Sequence, residues 1–165
     1  KDQNRGCEHI EYLASGDGKD PRYKLVHRLL NDLGESGSII VYHKSFEKSR
    51  LQDLSLWFPE LADKLNNCIE RLIDLEDVFK NVDIYSPKML GSSSIKFVLP
   101  AFTKLSYADQ ECKDGSDAMN IFTLMQENYY NKVEYNKKKK ALLEYCKLDT
   151  LAMVELMAVL YQFRD

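Results

Sequence analysis

Apolar positions recur along the chain at two different periods. Leu25, Val26, Leu29, Leu30 and Leu33 fall at helical spacing. Asp20 and Pro21 precede them as a cap and a first-position proline, and Gly34 follows as a stop, so a helix is predicted between. Ser38-Ile39-Ile40-Val41-Tyr42 is a continuous β-branched run and predicts a central strand covered on both faces. A second helix is predicted from about Phe46 to Phe58, Pro59 opens a short third, and Arg71-Leu72-Ile73-Asp74-Leu75 reads as a strand. Glu8-His9-Ile10-Glu11-Tyr12-Leu13 alternates polar and apolar, the period of a half-buried strand, and the turn Gly16 to Pro21 follows it. The stretch from about Lys80 to Gly91 looks irregular. Ser92, Ser93 and Ser94 offer caps for a short helix through Phe102, which Pro100 limits. Helices are predicted over about Asp117 to Tyr130 and about Tyr135 to Phe163, the latter with a break near Lys147. The order points to a single α/β domain over residues 1–165, a mixed sheet flanked by helices. Three strands are thin for this many helices, so further strands are expected ahead of Lys1.

Composition narrows the class. The chain has 165 residues, 44% hydrophobic and 30% charged, which suits one globular domain and excludes overall disorder. Lys and Arg total 23 against 26 for Asp and Glu; the net charge of −3 excludes a uniformly basic nucleic-acid binder. No apolar run is long enough to span a bilayer, and the polar start Lys1 to Gly6 has no apolar core behind it, unlike a secretory leader. Cys7, Cys68, Cys112 and Cys146 are scattered without a C-x-x-C pair, the usage of reduced thiols in a cytoplasmic protein.

The chemistry-bearing signal is acids placed in apolar rows. Asp149 shares one helical face with Leu142, Tyr145, Cys146, Ala152, Met153 and Leu156. A carboxylate packed there needs a basic side chain, a helix amino terminus or a metal ion, because leaving it unpaired costs several kcal/mol. Glu47 opens the face of Leu51, Leu54 and Phe58, just past the carboxyl end of the strand Ile39 to Tyr42, where α/β sheets usually bind ligands. An acid in a first helical turn also has a plainer reason, the helix dipole, worth about 0.3–1 kcal/mol. Tyr145, one turn before Asp149, is suited either to packing or to orienting or deprotonating a water molecule.

These residues carry a resemblance. Tyr42-His43-Lys44-Ser45-Phe46-Glu47-Lys48-Ser49-Arg50-Leu51 resembles the second motif of the DEDD-type 3′–5′ exonucleases, the DnaQ-like branch of the RNase H-like fold, and Tyr145-Cys146-Lys147-Leu148-Asp149 resembles their third. Ser45 to Leu51, Ser93 to Pro100 and Leu143 to Met153 look more closely like an uncharacterised bacterial domain family related to those nucleases. The resemblance implies an RNase H-like mixed sheet whose first two strands are lacking here. It implies an enzyme that hydrolyses phosphodiester bonds at a single-stranded DNA or RNA end with Mg2+ or Mn2+. Glu47 and Asp149 would be metal-site carboxylates and Tyr145 the water-orienting phenol. Three departures accompany it. Glu47 stands for an Asp, His43 stands where an Asn is common, and no Asp-x-Glu precedes Glu47, so activity is expected to be weak or nil in this fragment. The Asp-x-Glu at Asp74-Leu75-Glu76 follows the second motif and reads as strand-end acids facing solvent.

Basic and aromatic residues add partners to test. In the resemblance Ser94 and Lys96 border the substrate groove, so with His43 they are the candidate nucleic-acid contacts. Lys137 to Lys140 read as a solvated helix face before a phosphate patch. Trp57, among Leu54, Phe58 and Leu61, reads as core. The alternatives to a nuclease are a non-catalytic nuclease-like module that binds nucleic acid or a protein partner, and a plain interaction domain with both acids paired to Arg or Lys. No membrane contact is expected, and an open strand edge would favour self-association.

Overall fold

The structure, a computed structural model, describes residues 7–163; the polar start Lys1–Gly6 lies outside the described residues. Helix α1 (Arg22–Leu33) ends on Gly34, whose positive φ of 58° lets its N–H close back on the carbonyl of Leu30. Strand β1 (Ile39–Val41) leads into α2 (Lys44–Trp57); a 3-10 turn opened by Pro59 joins it to α3 (Ala62–Glu70), and β2 (Leu72–Asp74) follows. The two strands pair in parallel, Ile39 with Leu72, Ile40 with Ile73 and Val41 with Asp74. Among the described residues this pair is the whole sheet. The rest is helical: α4 (Glu76–Lys80), α5 (Ile95–Phe102), α6 (Gly115–Gln126) and α7 (Lys132–Tyr161).

The fold is thus α/β in the coarse sense expected, with far more helix than sheet. Several expectations need correction. Glu8 to Leu13 forms no strand: its alternation has no neighbouring strand to bond to, and the segment is irregular and largely exposed. The wider mixed sheet is not represented among the described residues. No break occurs near Lys147. Residues 132–161 contain neither Gly nor Pro, and Asn131 and Glu134 close a capping box at the start, so nothing interrupts the helix over about 45 Å. Trp57 is half exposed, not core; the guanidinium of Arg22 lies 4.2 Å over its ring.

Apolar burial divides into three clusters. Val26, Val41, Leu51, Leu54, Leu65, Cys68 and Leu72 seal α1, α2 and α3 against the strands. Leu75, Phe79, Val98, Leu99, Leu148, Ala152 and Leu156 pack α4 and α5 on the middle and end of α7. Cys112, Ile121, Met125 and Leu142 pack α6 on its start. Because the strands are parallel, both carboxyl ends open on the same edge, and Tyr145, Asp149 and Met153 from the middle of α7 lie beside it.

Candidate functional site

The carboxyl ends of β1 and β2 are built around one side chain. Asp74, the last residue of β2, accepts hydrogen bonds from the backbone N–H of His43 (3.0 Å), Lys44 (2.8 Å) and Glu76 (3.0 Å). It thereby caps the starts of α2 and α4 together, satisfying donors that a helix amino terminus leaves free. His43 is left in a left-handed backbone conformation, φ 69° and ψ 60°, costly for a non-glycine residue. Its Nδ1 lies 3.0 Å from Oε2 of Glu76, whose Oε1 accepts from the Ser93 hydroxyl at 2.8 Å. Asp74 and Glu76 are therefore not the solvent-facing strand-end acids that alternation suggests. The strand stops at Asp74, and Glu76 begins a helix that turns its carboxylate back toward His43.

Above this edge is a cavity of about 360 Å³ lined by Tyr42, His43, Glu47, Glu76, Ser94, Ile95, Tyr145, Asp149 and Met153. Glu47 from α2 and Asp149 from α7, 102 positions apart, face it together. Burial raises the pKa of Glu47 above the ordinary carboxyl range; the charges of Asp74 and Asp149 add to this and His43 opposes it. Its Oε2 is buried without a hydrogen-bond partner. Burial likewise raises Asp149, against the Tyr107 hydroxyl that donates to its Oδ1 at 2.7 Å and the neighbouring phenol of Tyr145. Among the described residues neither acid has a Lys or Arg within ion-pair distance. The phenol of Tyr145 is pushed well above its usual range, by burial first and then by Asp149. It keeps its proton at neutral pH, which suits it to donate to a water or phosphoryl oxygen and not to deprotonate one.

Of the residues singled out from sequence, the cavity gathers Glu47, Tyr145, Asp149, His43 and Ser94. Lys96 is outside it, 3.5 Å from Asp114 and still close enough for its charge to act on Asp149. Lys137 and Lys138 reach Glu111, and Lys140 reaches Glu144, the ordinary pairing of an exposed helix face. Tyr107, which reaches Asp149 from the loop between α5 and α6, had no signal in the sequence; Glu76 stood out only as part of an Asp-x-Glu that alternation places on a solvent-facing edge. A larger recess of about 690 Å³ lies beside α1 and α3, but its acids, Glu35 and Asp63, are exposed.

Fold and cavity together define an α/β domain with an acid-lined cleft at the carboxyl ends of parallel strands. Residues 1–94 match the family described as domain of unknown function DUF2779, and the chain belongs to that family. It is similar to uncharacterized protein MG366 of Mycoplasma genitalium, 30% identical over 146 residues that cover 81% of this chain and 22% of that protein. It is also similar to the MG366 homolog of Mycoplasma pneumoniae, 29% identical over 169 residues that cover 95% of this chain and 26% of that one. The chain spans about a quarter of the length of these curated relatives. No solved structure matches it. Among the described residues no helix is long and apolar enough to cross a membrane.

Proposed function

We propose that the cavity is the site of a divalent-cation-dependent phosphodiesterase of the 3′–5′ exonuclease type, acting on a single-stranded DNA or RNA end. The observation that carries this reading is the convergence of Glu47 and Asp149, two inward carboxylates that among the described residues have no basic partner, one with a buried oxygen left unbonded. Such an arrangement is costly unless a cation completes it. The donor set fits Mg2+ or Mn2+, hard ions that take carboxylate oxygens. Among the described residues no three His, Cys, Asp or Glu side chains are grouped to cage a metal, so an ion held by Glu47 and Asp149 would keep several waters, as Mg2+ does. When bound, the ion supplies positive charge to the attacking and leaving oxygens at the phosphate. The likeness of the segments around Glu47 and Asp149 to the exonuclease motifs supports the same reading.

The chain's own groups would act around that centre. The protonated Tyr145 hydroxyl donates to the attacking water or to a phosphoryl oxygen. Ser94, on the cavity wall, offers a hydroxyl to a second phosphate oxygen. Ile95 and Met153 supply the apolar part of the cavity wall. The purified protein with Mg2+ or Mn2+ should shorten end-labelled single strands from the 3′ end. Glu47→Gln and Asp149→Asn should each slow this by about 100-fold or more, several kcal/mol of lost charge stabilisation. Mn2+ binding, followed by electron paramagnetic resonance, should be weakened in both variants. Intact strands without Mn2+ binding would overturn the reading; intact strands with Mn2+ bound at these residues would favour the non-catalytic module.

A further inference from the structure

We infer that His43, oriented by Glu76, is the general acid that protonates the leaving oxygen in this cavity. The inference rests on the hydrolase reading above and extends it to a residue outside the carboxylate pair. Three observations lead to it. The imidazole is on the cavity wall, and its charge acts on Glu47. Its Nδ1 is engaged by Glu76 at 3.0 Å, while among the described residues Nε2 has no hydrogen-bond partner. Glu76 is itself fixed, with its side chain only 14% exposed, one oxygen on His43 and the other on the Ser93 hydroxyl. A carboxylate on Nδ1 sets the ring's tautomer and orientation and leaves Nε2 for a group in the cavity. The backbone points the same way. His43 keeps a strained left-handed conformation that Asp74 stabilises by accepting its N–H, and such strain persists where the surroundings over-determine a position.

The step balances as follows. Water adds its oxygen to phosphorus and the bond from phosphorus to the ribose or deoxyribose oxygen breaks. That oxygen takes the Nε2 proton of His43, and the proton lost by the water passes to solvent through the cavity mouth. His43 is left neutral, with its proton on Nδ1 and that N–H still donating to Glu76. Its exposed side chain then recovers a proton from solvent. Among the described residues, the charged groups that contact it or share its cavity are Glu47 from α2, Glu76 from α4, Asp74 at the end of β2 and Asp149 from α7. Glu76 and Ser93 are positioning residues: they hold the imidazole and do not meet the substrate.

The test compares leaving groups. A dinucleotide leaves as an alkoxide and needs the acid, whereas thymidine 5′-(p-nitrophenyl phosphate) leaves as a stable phenolate and does not. His43→Asn, chosen because Asn tolerates the left-handed backbone, should lower kcat on the dinucleotide by about 100-fold or more and alter the p-nitrophenyl ester by less than about threefold. Glu76→Gln should show the same selectivity to a smaller degree. Equal losses on both esters, or none on either, would overturn the assignment while the hydrolase reading stands. A wild-type protein inert toward both esters would overturn the two together. Imidazole 15N spectra give a second readout that does not depend on turnover. The neutral ring of His43 should be the Nδ1–H tautomer in the wild type and lose that bias in Glu76→Gln; a ring without the bias would overturn the dyad.

Discussion

Glu47 and Asp149 show how a side chain can be costly to the fold and useful to a site. Burial holds both carboxyls above their ordinary pKa, so the folded protein retains protons that the unfolded chain has already released. The sign follows. Below the ordinary carboxyl range both states are protonated and there is no penalty. As pH rises through the raised folded values, the folded state must ionise buried groups and stability falls. In a chelator, Glu47→Gln should therefore have a higher Tm than the wild type at pH 7, and the gap should close at pH 4; thermal denaturation at the two pH values reads this. The same residues were the legible part of the site, because an acid interrupting an apolar helical row is visible in a sequence. Tyr107 was not legible. It is buried and donates to Asp149 from a loop 42 positions earlier, and no periodicity marks a loop residue.

At the scale of elements, most helices and both paired strands were legible, β1 inside Ser38 to Tyr42 and β2 inside Arg71 to Leu75, whereas the strand expected at Glu8 to Leu13 is absent. α1 and α2 follow their apolar stripes and caps to within a few residues, since a helix satisfies its own backbone. A strand needs a neighbour, so the alternation over Glu8 to Leu13 predicted an element that has nothing to pair with. The stretch after Ile73 failed for a related reason. Alternation assumes that the strand continues, yet Asp74 ends it by capping two helices. Asp74→Ala should cost about 2 kcal/mol or more, because it leaves three amide donors at helix starts without an acceptor. Asp74→Asn keeps an acceptor oxygen and should cost less. Urea denaturation of the two variants tests the order.

At the scale of the molecule, the amino-terminal segment is exposed along most of its length and pinned at Gly16. The N–H of Gly16 donates to the Tyr135 hydroxyl at 3.1 Å, and a Cβ built at Gly16 would lie 2.9 Å from Cβ of Met125 and 3.0 Å from its carbonyl carbon and oxygen. Those last contacts are backbone and cannot give way cheaply. Gly16→Ala should destabilise by about 1–3 kcal/mol. Gly115→Ala, at a helical glycine with open space around it, should be neutral or stabilise by up to about 1 kcal/mol. Chemical denaturation of this pair separates close approach from glycine content alone. The sequence offers Gly16 only as part of a turn; the packing that requires it comes from α6, more than 100 positions later.

The shared cap at Asp74 has a further consequence. One carboxylate anchors the peptide group that carries His43 and the peptide group that carries Glu76, so the two ends of that imidazole–carboxylate contact hang from a single peg. Substitutions that shift the peg move both partners at once. Variants that retune this rim must therefore alter side chains and leave the peg in place, which makes Asp74 a point where foldability and chemistry are selected together.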